Sequence, residues 1–273
     1  MTPRRLFRAC ALFLALAFGL GAGGAARADA DREAAVPCAA PSEFHWLGDP
    51  LTRTGRKLAQ GEGVTIVAIG SSSTAGAGAS TPAACYPSRL EAELKERFPG
   101  QRIVVRNRGV NGEEAAQMIA RFERDVLPDR PDLVLWQVGT NAVLRDHVID
   151  DEAPLIRDGI RRLKAEGAEV VIVNPQFAPK VLDKFDVFRM VDLIGATAKS
   201  EGAGLFQRFA LMRFWVESER MSFEDFTSPD GLHMNDWSYG CVARTLAAAI
   251  AEATNRIELS AEASAARRAR LDR

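Results

Sequence analysis

Val64-Thr65-Ile66-Val67-Ala68-Ile69 runs straight into Gly70-Ser71-Ser72-Ser73-Thr74-Ala75-Gly76-Ala77-Gly78. A short, nearly continuous apolar run reads as a strand buried on both faces, and the small hydroxyl-rich segment after it reads as a turn into a helix. The same type recurs as IVV at 103–105, DLVLWQV at 132–138 and EVVIVN at 169–174, with a weaker strand candidate, LFQRFAL, at 205–211. Helical patterns lie between and after them, at 86–98, 113–127, 153–167, 185–201 and 238–254. The third ends on Gly167, a helix stop, directly before its strand. Strands alternating with helices build right-handed βαβ units on a parallel sheet. The fold class is therefore α/β, with a mostly parallel central sheet.

This pattern occupies residues 61–254 and makes one domain. Residues 29–60 form a mixed, Pro-interrupted N-terminal extension in which EFHWLGDPL is the one stretch able to pack. Residues 255–273 are a polar, Ala-rich C-terminal tail, expected to be loose or a frayed helix. Residues 1–28 read as a signal peptide. Arg4, Arg5 and Arg8 precede an uncharged run, and Ala26-Arg27-Ala28 supplies a small-x-small cleavage site. The apolar run dissolves into Gly and Ala after Leu20, which argues against a spanning anchor. The expectation is a periplasmic or secreted protein, cut after Ala28 and without a stable membrane anchor. RRLF suits a Sec signal and a twin-arginine signal equally.

Composition excludes several classes. With 47% apolar and 26% charged residues the chain can build a core, and its 22 Gly and 13 Pro show no period. The formal charge is −1, and removing residues 1–28, with four arginines and no acid, takes it to −5. Such a balance offers no basic field to nucleic acid. Cys38, Cys85 and Cys241 remain after cleavage, either as one disulfide and a thiol or as three thiols. Their spacing lacks the close pair that a metal site requires, so no metal is expected.

In an open parallel sheet ligands bind beyond the carboxyl ends of the strands. After the first strand stand Ser71, Ser72 and Ser73; after the second, Asn107-Arg108-Gly109-Val110-Asn111-Gly112; after the third, Gly139-Thr140-Asn141. Ser228-Pro229-Asp230-Gly231-Leu232-His233 follows near the C-terminus. Singly these are common turn chemistry. The first turn lacks the Lys of a phosphate-binding loop, and its glycines do not give G-x-G-x-x-G. Together they supply a hydroxyl nucleophile, a base, a carboxylate to orient the base, and amide donors for an oxyanion. Of three histidines, His45 lies before the sheet pattern and His147 has only an adjacent Asp146. His233 alone has a carboxylate at the favourable spacing.

In this order and spacing the blocks resemble the SGNH/GDSL hydrolase superfamily over roughly residues 64–254. The family's first block is G-D-S-x-x-x-G; laid on Gly70 to Gly76 it selects Ser72 as nucleophile. The resemblance makes Gly112 and Asn141 oxyanion donors beside the Ser72 N–H, and Asp230 and His233 the rest of a triad. It implies a flavodoxin-like three-layer α/β/α sandwich and cleavage of a carboxylic ester, carbohydrate-borne or lipid-like, through an acyl-enzyme, with no cofactor. One position departs from the family: Ser71 stands where an acid is usual. An O-acyltransferase that passes the acyl group to a carbohydrate would share every named residue. A non-catalytic binding module is disfavoured by the intact Ser72, Asp230 and His233.

Overall fold

A computed structural model describes residues 38–271, with side chains described through residue 256. The expected signal peptide therefore lies outside the described residues. Five strands form one sheet: β1 Val64–Gly70, β2 Ile103–Gly109, β3 Leu133–Gln137, β4 Glu169–Val173 and β5 Gly204–Phe206. All pairings are parallel and the spatial order is β2-β1-β3-β4-β5. This is the flavodoxin-like order, whose topological switch point falls between β1 and β3. The chain leaves β1 toward one edge and returns past it to β3, opening a crevice between their carboxyl ends.

The helices are α1 Thr52–Gln60, α2 Ser72–Ala75, α3 Tyr86–Arg97, α4 Ala115–Ile119, α5 Thr140–Leu144, α6 Glu152–Ala165, α7 Pro179–Leu182, α8 Val187–Ser200, α9 Arg208–Glu217, α10 Phe223–Phe226 and α11 Asp236–Leu271. α11 packs on α3 and α1, while α6 packs on α4 and α8, giving a layer of helices on each face of the sheet. The central strands β1 and β3 are buried because both faces are covered: Val67, Ala68, Ile69, Leu133, Val134, Leu135 and Trp136 have no solvent exposure, whereas edge strand β2 is buried only in part.

Three local readings change. The 113–127 pattern is not one helix. α4 is followed by a π-helical turn at Phe122–Val126 and a 3-10 turn at Leu127–Asp129, and Pro128 cannot continue an α-helical ladder. LFQRFAL is strand only through Phe206; from Arg208 it is the first turn of α9. Packing before the sheet includes EFHWLGDPL, as expected, and extends beyond it. Leu47 and Leu51 within that stretch are core, Leu58 in α1 is core as well, and the Glu169 carboxylate accepts from the Arg53 and Thr54 N–H groups, capping α1. At the other end α11 continues as helix through Leu271, across the stretch read as a tail.

Cys38 is bonded to Cys241 across 203 residues, and Cys85 is a buried free thiol. The bond ties the start of the described chain to α11. Replacing both cysteines by serine is expected to lower the unfolding free energy by about 2–5 kcal/mol. Urea midpoints of wild type with and without reductant, beside the double variant, check this.

Candidate active site

Ser71 ends β1's turn and Ser72 opens α2. The Thr74 and Ala75 N–H groups bond back to the Ser71 carbonyl, and Gly76 and Ala77 to that of Ser72, so the turn closes on itself. No hydrogen bond among the described residues engages the Ser72 N–H, which stands at the free N-terminal end of this helical turn. The three serines have separate environments. Ser71, 2% exposed, donates its N–H and its hydroxyl to Gln137 Oε1 at 2.8 and 2.9 Å. Ser73, 1% exposed, accepts from Arg208 Nη1 at 2.9 Å. Ser72 alone is half-buried, with its Oγ 2.8 Å from His233 Nε2.

The loop carrying His233 is organised by Asp230. Its Oδ1 accepts from the Leu232 N–H, the His233 N–H and the Ser228 hydroxyl, and its Oδ2 lies 2.5 Å from His233 Nδ1. Ser228 N–H also bonds to the His233 carbonyl, and Thr227 bridges Met234, so the loop is a tight hairpin. Partial burial works to raise the Asp230 carboxyl pKa. The donors from His233, Leu232 and Ser228 outweigh it and hold the group well below the usual carboxylate range. An ionised Asp230 fixes the proton on Nδ1 and leaves Nε2 as the basic nitrogen facing Ser72.

The nucleophile turn meets this hairpin at Gly78. With φ at +89°, a Cβ there would come within 2.3 Å of the Met234 carbonyl and 2.9 Å of His233 Cβ. Only glycine permits so close an approach. Tyr239 at the start of α11 donates its phenol to the Ala77 carbonyl at 2.7 Å, a second tie between the two segments.

Gly112 and Asn141 are also brought together. Asn141 Nδ2 donates to the Glu113 carbonyl at 2.8 Å, and one amide hydrogen remains for a ligand. Gly112 adopts φ +77°, and its carbonyl accepts from Arg145 Nη2 at 2.9 Å while Arg145 also pairs with Glu114. The Val110 N–H bonds to the Gly70 carbonyl, fastening the Gly112 loop to the end of β1. These bonds orient the loop with Gly112 and Asn141 fixed to each other.

Phe177 is core, its ring edge-on to Phe209 and stacked with Phe223. Phe185 and Phe188, in the segment after β4, are 96% and 53% exposed. Sequence reasoning missed Gln137, Gln176 and Arg208, the buried polar residues beneath the turns. Their only signal is a polar residue set inside or beside an apolar run.

A family model described as non-GDSL lipase-like matches residues 37–256. An acetylxylan esterase of Geobacillus stearothermophilus is 30% identical over 102 residues, which are 37% of this chain and 40% of that protein. Among solved structures, a two-domain esterase active on acetylated mannans, co-crystallised with mannopentaose, superposes with a TM-score of 0.65 at 20% identity, covering 79% of this chain and 57% of that one. An acetylxylan esterase structure from Geobacillus stearothermophilus gives 0.58 at 19% identity, covering 69% and 94%. The match thus spans well under two thirds of the curated relative and of the two-domain esterase. At these identities the structural likeness establishes the fold.

Proposed function

The chain belongs to the non-GDSL lipase-like family, and from that premise we propose that it is an exported serine ester hydrolase acting on acetylated polysaccharide. The observation that carries this reading is the hydrogen-bonded line from Asp230 through His233 to Ser72, with spacings of 2.5 and 2.8 Å. In the reaction, His233 Nε2 takes the Ser72 proton as Oγ attacks the acyl carbon. The Ser72 and Gly112 N–H groups and the free hydrogen of Asn141 Nδ2 hold the tetrahedral oxyanion. His233 returns the proton to the leaving sugar oxygen, and water, activated by the same nitrogen, releases the acyl group. Ser71, which stands where the G-D-S block has an acid, fastens the turn through Gln137.

The Asp230 side chain is 42% exposed and that of His233 17% exposed, so the line of residues runs close to the surface. Such a position suits an ester borne on a polymer, and the names of the relatives point the same way. Export is supported by the Cys38–Cys241 bond, since disulfides persist in oxidising compartments.

The reading is tested by acetate release from acetylated xylan and mannan, alongside p-nitrophenyl esters of rising chain length. Preference for acetyl is expected. Preference for long acyl chains overturns the substrate class, and transfer to added sugar acceptors in preference to water converts the hydrolase into an acyltransferase. Asn141→Ala is expected to lower kcat by about 10²–10³-fold with little change in KM, because an oxyanion donor acts chiefly in the transition state. Steady-state kinetics on p-nitrophenyl acetate checks it.

A further inference from the structure

Arg208 has no solvent exposure, and no carboxylate pairs with it among the described residues. It also begins helix α9, where a positive charge faces the positive end of the helix dipole. Both placements are costly, since a buried charge is ordinarily paired. Burial lowers its pKa to about 10, which leaves it charged at neutral pH.

Its fork of donors reaches three acceptors. Nη1 donates to Ser73 Oγ at 2.9 Å, Nη2 to Gln176 Oε1 at 3.0 Å and Nε to the Asn174 carbonyl at 3.0 Å. Gln176, 1% exposed, extends the network: its Oε1 also accepts from Thr140 Oγ1 at 3.0 Å, and its Nε2 donates to the Leu232 carbonyl at 3.3 Å. Ser73 follows Ser72, Thr140 precedes Asn141, and Leu232 precedes His233. One buried pair therefore grips three separate segments, each at the residue next to a candidate site residue.

We propose that Arg208 and Gln176 are positioning residues of the ester hydrolase, holding the Ser72 turn, the Asn141 helix and the His233 hairpin in mutual register. This rests on the hydrolase reading. Arginine suits this position because its donors are spread over three nitrogens of a rigid fork, whereas the three N–H groups of lysine leave one nitrogen and do not span the three acceptors reached by Nε, Nη1 and Nη2. The bonds are charge-assisted, which suits a hub whose partners are a hydroxyl, an amide oxygen and a backbone carbonyl. Misplacement of reacting groups by about 1 Å can cost 10²-fold in rate, so the hub acts on turnover while touching no substrate.

The test compares Arg208→Met, Arg208→Lys, Gln176→Met and the Arg208→Met/Gln176→Met pair with wild type. Active sites are counted by end-point labelling with a fluorophosphonate, and kcat and KM are measured on p-nitrophenyl acetate. Arg208→Met and Gln176→Met are each expected to lose about 30–100-fold in kcat per labelled site, with KM within about twofold. Arg208→Lys should recover part of the loss, and the double variant should fall no further than the worse single one, as for residues acting as a unit. If a variant merely folds less well, the labelled fraction drops while kcat per labelled site stays within threefold of wild type, and the proposal is overturned. Additive losses in the double variant overturn it as well. Should Arg208→Met fail to fold, Gln176→Met, which keeps the cation, decides the matter on the same criteria. A wild type that neither labels nor turns over would instead remove the hydrolase reading.

Discussion

Ser72→Ala should abolish fluorophosphonate labelling and lower kcat on p-nitrophenyl acetate by at least about 10⁴-fold, the scale on which triad nucleophiles act. The expectation rests on how differently the three successive serines are housed. Ser71 is sealed in and spends its hydroxyl on Gln137, and Ser73 is sealed in against Arg208, so neither presents a free oxygen to a substrate. Ser72 is half-buried, and among the described residues its Oγ bonds to His233 alone. Because the residue is not fully buried, its truncation should leave stability within about 0.5 kcal/mol. A folded variant with intact thermal midpoint and no labelling is the expected pair of results. Retained labelling would transfer the nucleophile to a neighbouring serine and would break the assignment.

Asp230→Asn should cost nearly as much, about 10⁴-fold in kcat, although it changes one atom in charge and not in size. Asp230 Oδ1 collects two backbone N–H groups and the Ser228 hydroxyl, so an asparagine here keeps its carbonyl oxygen on that side. Its NH₂ then faces His233 Nδ1. A donor in that place turns Nδ1 into an acceptor, moves the ring proton to Nε2, and leaves Ser72 facing an N–H in place of a base. The hairpin geometry should survive, which circular dichroism and an unchanged KM would register. A variant retaining a tenth or more of wild-type turnover would contradict the orienting role.

Acidity bears on the same carboxyl. Its pKa is lowered in the folded state, so whatever Asp230 contributes to stability is present above its unfolded value, near 4, and is lost only as pH falls through the depressed one. Activity lost between neutrality and about pH 4 is therefore not lost through Asp230.

The sheet and the candidate site positions were readable because each is a local pattern. Buried parallel strands are continuous apolar runs, and Ser72, Asn141 and Asp230 to His233 sit in turns that follow strands or precede a helix. Spacing alone could bring Asp230 to His233, since the two lie on one short hairpin. What joined Ser72 to His233 across 161 residues was the family pattern, and the hydrogen bond between them is a property of the folded chain. The misread stretches fail on physical grounds. LFQRFAL is an apolar run too short to distinguish strand from helix by period, and it is in fact both. The 113–127 helix breaks where Pro128 and the buried Arg121 intervene, the guanidinium binding Glu113, Asp125 and the Arg108 carbonyl. Arg208, Gln176 and Gln137 were illegible because their role depends on convergence of segments far apart in sequence. A lone polar residue in an apolar run carries no hint of which turn it will hold.

The bond between Cys38 and Cys241 also fixes an order of events in the life of the chain. Cys241 lies on the helix that begins three residues after His233, so no chain that ends before residue 241 can close the ring. A chain emerging N-terminus first holds Cys38 unpaired until the loop with Asp230 and His233 has already been made. Oxidation of this pair is thus a covalent record that the polypeptide has been produced through its last candidate catalytic residue. A prematurely ended chain leaves Cys38 without its partner, and that open thiol tells it from the finished protein.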